Sequence, residues 1–182
     1  MSNEQKPKDD NDIVLVAFFE NEEAAQSAID GIKLWDKQYD GIKLGAIGTL
    51  SKDGDKLKTH VGRKTGKGVA IGAAVGVIGA VLTGGASLIV TTVGAGALGG
   101  VLGSFFKKST HLTEAEIADI GKELDAGRVA VIVNCDDFEV PLVTEYMVGS
   151  HATVRTYSVP KEALQEAANS PEVMAHVDEQ PS

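Results

Sequence analysis

The chain has one cysteine, Cys135, among 182 residues, so no intramolecular disulfide forms and nothing points to an oxidising compartment. Basic residues are outnumbered, 17 against 26 acidic ones, for a formal charge of −9. That balance excludes the broad basic surface that nucleic-acid binding needs. The first residues, MSNEQKPKDDND, lack the apolar core of a signal peptide. Four histidines are scattered with no pair at i, i+4, so metal-ligand spacing is missing. The most extended absence is of charge: between Val69 and Phe106 no residue is charged, and most are glycine, alanine or aliphatic.

On either side of that stretch the sequence reads as an ordinary α+β domain. Ile13–Phe19 (IVLVAFF) is a continuous apolar run, the pattern of a strand buried on both faces. Asn21 can cap a helix in which Ala25, Ala28, Ile29, Ile32 and Trp35 recur at helical spacing. A second strand is expected over Ile42–Ser51, and Asp53-Gly54 signals a hairpin into Lys56–Val61. After the charge-free stretch, Thr113 and Glu116 make a capping box, and Gly127 suits the end of the helix they start. Val129–Val133 predicts a strand and Asp136 or Asp137 the start of a helix that Gly149 breaks, with Pro141 in its first turn. Ala152–Val159 predicts a last strand. Ser158 and Pro160 then predict a short terminal helix, and Ser170-Pro171 the start of another.

Two strand–helix–strand units in this order predict a ferredoxin-like split β-α-β fold carrying an inserted glycine-rich helical hairpin. The organisation is therefore a tail over 1–11, a first half with its β-hairpin over 12–62, and the insertion over 63–108. The second half with its leading helix spans 109–159, and a terminal helix and tail fill 160–182.

Within the insertion small residues return every fourth position, through Gly68, Gly72, Gly76 and Gly84 and again at Gly96 and Gly100. Residues four apart share a helix face, and a face without bulky side chains lets a second helix approach closely. Thr83-Gly84-Gly85 marks the turn between the two arms. In water each interior glycine costs about 1 kcal/mol against alanine, so these arms need a cover of lipid or protein. Arg63, Lys64 and Lys67 precede the arms, and Lys107 and Lys108 follow them. Basic feet at both ends favour a hairpin with both termini on the cytoplasmic side, where they can meet anionic headgroups. Length qualifies the reading. The first arm, Gly68–Thr83, is ~24 Å as a helix and the second, Ala86–Phe106, ~31 Å, against a hydrocarbon core of ~30 Å.

The succession of apolar strand, helix, hairpin ending in KDGD, basic RKTGKG, glycine zipper and LTEAEIADIGKELDAGRVAVIVN resembles one bacterial family, domain of unknown function 1269. The resemblance covers about Asp12–Val159. It implies a membrane-associated bacterial protein and brings neither an established enzymatic role nor catalytic residues.

Several motifs invite chemistry and fail on context. Gly94–Gly99 satisfies GxGxxG, but a capped helix stands where a dinucleotide fold needs its next strand and acidic residue. Gly62–Gly68 (GRKTGKG) resembles a phosphate loop but has Val61 where the first glycine belongs and Gly68 in place of Ser or Thr. Cys135 ends an apolar strand with no histidine nearby, which suits a buried structural thiol. No acid–base or nucleophile set converges, so no catalytic, cofactor or metal site is expected. The expectation is a non-enzymatic homo-oligomer. Its hairpin packs through the zipper glycines and inserts in, or docks on, the inner membrane, with the globular part cytoplasmic. The alternative is a soluble, cytoplasmic, homo-oligomeric binding module or subunit whose hairpin packs against a protein partner.

Overall fold

A computed structural model describes residues 11–38, 47–54, 56–62, 112–160 and 162. The elements are β1 (Asn11–Phe19), α1 (Glu22–Gln38), β2 (Ile47–Asp53) and β3 (Lys56–Gly62), then α2 (Glu114–Asp125), β4 (Val129–Cys135), α3 (Val140–Gly149) and β5 (Thr153–Pro160). The strands form one antiparallel sheet in the order β3-β2-β4-β1-β5. The mixed α and β architecture expected from the sequence is present.

The continuous apolar run of β1 explains its place between β4 and β5. Val14 to Phe19 are each at most 1 % exposed, so both faces of this strand are covered. On one face Leu15, Ala17 and Phe19 join Val129, Val131, Val133 and Cys135 of β4 and Ile47 of β2. Helices α1 and α3 cover that face with Ala25, Ala28, Ile29 and Ile32 and with Val143 and Met147. The opposite face holds Val14, Val16, Phe18, Ala130, Ile132 and Leu50, all buried. Helix α2 packs on β2 and β4 with Ile120 and Leu124 buried. Each large apolar side chain so buried contributes about 1.5–3 kcal/mol.

Helices α1 and α3 meet through an aromatic contact. Trp35 and Tyr146 stack at 5.7 Å, and the Tyr146 hydroxyl donates to the Ala28 carbonyl oxygen at 3.2 Å. Gly31 makes room for that hydroxyl, since a Cβ there would lie 2.1 Å from it.

The caps follow sequence signals at most ends. Asn21 Oδ1 accepts from the Ala24 N–H at 2.9 Å. Thr113 and Glu116 form the reciprocal capping box. At the end of α2 the Arg128 N–H reaches Glu123 O and the Gly127 N–H reaches Leu124 O, a Schellman motif with Gly127 at φ +81°. The Asp53↔Lys56 pairing closes β2 and β3 through a two-residue turn with Gly54 at φ +62°.

Three expectations need correction. Helix α3 starts at Val140, not at Asp136 or Asp137. The Glu139 N–H turns back to Asp136 O at 2.9 Å, and the buried Glu139 carboxylate accepts from the Asp136 N–H at 3.0 Å. The acids therefore serve a turn, and Pro141 falls in the first helical turn as anticipated. Gly149 does not end α3. The helix runs through it, and a second Schellman motif follows, in which His151 takes the left-handed position at φ +67°. Ser158 and Pro160 lie in β5, paired with Ile13 and Asn11, because the edge strand tolerates a proline at its end; Glu162, two residues further on, is helical, so only the expected start of that helix is displaced. Ile42–Ala46 of the expected second strand and any helix over 163–182 lie outside the described residues.

The two left-handed caps predict opposite responses. His151→Gly should raise stability by roughly 0.5–1 kcal/mol, because glycine removes the Cβ penalty at positive φ. Gly127→Ala should lower it by about 1 kcal/mol; no atom lies within 4 Å of the added Cβ, so the cost is backbone strain alone. Urea titration of both variants reads these shifts. A second prediction concerns the helix contact. Gly31→Ala should destabilise strongly in the wild type and much less in a Tyr146→Phe background, and a double-mutant cycle of thermal midpoints measures the difference.

Candidate functional site

The residues singled out in the sequence as packing or anchoring groups are Gly68, Gly72, Gly76, Gly84, Gly96 and Gly100, with Arg63, Lys64, Lys67, Lys107 and Lys108. All lie outside the described residues. The frame around them is described, and it defines where the chain departs and returns. Gly62 is paired with Ile47, and Ile47 with Val133, near the end of the sheet where β4 finishes at Cys135. Helix α2 ends at the other end of the sheet, where Asp125 pairs with Lys52 and the chain turns through Gly127 into Val129. Its 12 residues span ~18 Å, about five strand residues, which brings Leu112 and Thr113 back to the Cys135 end. The electrostatics agree, since Glu116 and Asp119 in the first half of α2 act on Tyr157, opposite Val14. Both boundaries of the glycine-rich segment thus open on one end of the sheet.

That end is acidic and partly apolar. Asp136, Asp137 and Phe138 form its exposed turn, and Leu142 lies one helical turn beyond Phe138. Beneath them the Cys135 thiol is 2 % exposed. Burial, then the negative charges of Glu139 and Asp136, push its pKa up to about 12. It stays protonated at neutral pH and is a packing group there, as its place at a strand end suggested.

On the α2 side, burial raises the Tyr157 phenol to about 12, against the lowering effect of Arg155. Arg128 and Arg155 share Glu123 at 3.2 and 3.9 Å, and Arg128 donates to the Thr153 hydroxyl at 3.2 Å. These pairs are a third or more exposed on the arginine side, so they contribute at most about 1 kcal/mol each. They tie the end of α2 to the edge strand β5. Sequence spacing offered no route to this cluster, because its members come from a helix end, a turn and a strand that only the fold brings together.

Among the described residues, no group of three or more His, Cys, Asp or Glu side chains is placed to hold a metal ion. Among them, too, no helix is long and apolar enough to cross a membrane. The GxGxxG and GRKTGKG motifs fall outside them, apart from Gly62. Comparison with family models, with curated proteins and with solved structures gives no match. The resemblance read in the sequence therefore rests on its motifs alone.

The thiol carries a linked prediction. A folded pKa near 12 against 9.0 for the free group means that Cys135 contributes fully below pH 9. As pH rises from 9 towards 12 the unfolded thiol ionises and the folded one does not, so stability falls by up to ~1.4 kcal/mol per pH unit. Cys135→Ala should flatten that part of the alkaline unfolding curve. Thiol reagents at pH 8 should modify native Cys135 at least a thousandfold (~3 pKa units) more slowly than the unfolded chain.

Proposed function

We propose that this protein is a non-enzymatic, membrane-associated scaffold that oligomerises through its glycine-rich segment. In this reading the segment is a helical hairpin, and its two basic feet lie against anionic headgroups. The observation that carries the reading is that Gly62 and Leu112 stand at one end of the sheet. A segment that leaves and re-enters at one end can present Arg63, Lys64 and Lys67 beside Lys107 and Lys108, the arrangement a two-footed hairpin requires. The zipper glycines Gly68, Gly72 and Gly76, with Gly84 at the turn and Gly96 and Gly100 beyond it, would supply the close helix contacts.

The fold reading belongs to the same proposal. The strand order β5-β1-β4-β2 and its antiparallel senses suit a ferredoxin-like core, in which α1 and α3 are the crossover helices. Strand β3 is then an added hairpin strand and α2 an added helix on the second face. The resemblance to the bacterial family of unknown function points the same way.

Fractionation of an expressing bacterium tests the proposal. The protein should sediment with membranes, resist a carbonate wash and leave only in detergent. Gly72→Leu combined with Gly76→Leu should abolish the detergent-extracted oligomer while the far-UV spectrum of the domain is kept. Wild-type protein that stays in the high-speed supernatant would overturn the membrane reading, and the hairpin would then belong on a protein partner. Oligomers unchanged in the double variant would overturn the zipper contact.

A further inference from the structure

Phe138, in the turn before α3, and Leu142, in the first turn of α3, are 64 % and 43 % exposed, and Tyr146 lies one helical turn beyond Leu142. Tyr146 is covered by Trp35, which stacks on it, so the exposed part is a short strip of two large apolar groups, Phe138 and Leu142. We propose that the chain's own C-terminal segment, beginning at Ala163, docks along this strip.

The place where the described chain ends carries the argument. Pro160 pairs with Asn11 at the same end of the sheet as Cys135, and Ser158, Ile13 and Cys135 stand in one row. Two strand spacings, about 10 Å, separate β5 from β4 there. Helix α3, with the strip on it, packs over β1 and β5, so the segment emerges beside its occupant's site. Four residues beyond Pro160, Leu164 has a reach of ~14 Å, and Phe138 is three residues past Cys135. The sequence there suits an apolar groove. At helical spacing from Glu162, the residues Ala163, Leu164, Ala167 and Ala168 share one side, and Glu162 and Glu166 take the other.

The response to salt separates this occupant from a basic partner. Asp136 and Asp137 stand just before Phe138, and the C-terminal segment is itself acidic, so docking is driven by apolar contact against a mild like-charge repulsion. Salt screens that repulsion. A basic partner held by the same acids would be released by salt.

Hydrogen exchange on the full chain tests the proposal independently of any membrane role. Amides over 163–169 should be protected at least tenfold relative to the free-chain rate, and equally or more so in 0.5 M sodium chloride. Phe138→Ser with Leu142→Ser should remove that protection and leave the amides of β1 and β4 unchanged. Leu164→Ser, which leaves the domain surface intact, should do the same. Free-chain exchange over 163–169 in the wild type would overturn the proposal, as would protection surviving both variants or lost in salt. Protection that disappears on dilution would also overturn it, in favour of a second copy as the occupant.

Discussion

Strand β1 imposes the constraint from which the rest of this architecture follows. Six consecutive residues, Val14 to Phe19, point alternately to the two faces of the sheet, and each is almost wholly removed from water. A half-buried strand could have been served by helices on one side. This one demands cover on both, and a chain of two β-α-β units supplies only α1 and α3, which share a side. The second side needs another element. Helix α2, which lies between the glycine-rich segment and β4, meets that need with Ile120 and Leu124.

That requirement makes the ends of α2 as consequential as its packing. Its N-terminus is held by the Thr113–Glu116 box and its C-terminus by a Schellman motif at Gly127, with Lys52 reaching Asp125 and Arg128 and Arg155 reaching Glu123. Each contact is individually small, about 0.5–2 kcal/mol for the cap and about 1 or less for a partly exposed ion pair. Together they fix the helix direction, and direction is what returns Leu112 to the end of the sheet where Gly62 leaves.

Local signals in the sequence were legible wherever one residue's chemistry decides the outcome. Asn21, the Thr113–Glu116 pair, Gly127, Asp53-Gly54 and Pro141 all act where their side chains or dihedral preferences suggested. The apolar run of β1 announced a strand buried twice over. The failures arise where the deciding partner is remote or the local rule has a substitute. Asp136 and Asp137 looked like caps, but the Glu139 carboxylate, placed by its own burial, takes the Asp136 N–H for a turn. Gly149 looked like a stop, yet the left-handed position went to His151, where hydrogen bonds to Met147 and Val148 hold an unfavourable φ. Nothing in the sequence indicates that α2 faces away from α1 and α3, because amphipathicity specifies that a helix has an inner side but not which side of the sheet receives it. The packing and anchoring residues read from the glycine-rich segment stay at the level of sequence.

The geometry of the frame nevertheless constrains what that segment can be. Gly62 ends the edge strand β3, and Leu112 precedes α2, which packs one layer above β2 and β4 and reaches β5 through Glu123 and Arg155. Two to four strand spacings and one layer put these points about 15–20 Å apart. Two helices packed through small residues lie with axes 8–10 Å apart or somewhat closer. The residues between Gly62 and Gly68, and between Phe106 and Leu112, are long enough to absorb that difference from either side. They are also where Arg63, Lys64, Lys67, Lys107 and Lys108 stand. A domain that holds the two ends of a charge-free segment at one end of its sheet lowers the entropy cost of bringing the proposed arms together. The sheet and α2 would then act on the proposed hairpin as a clamp acts on a loop, and the basic feet would sit where the clamp meets whatever covers the arms.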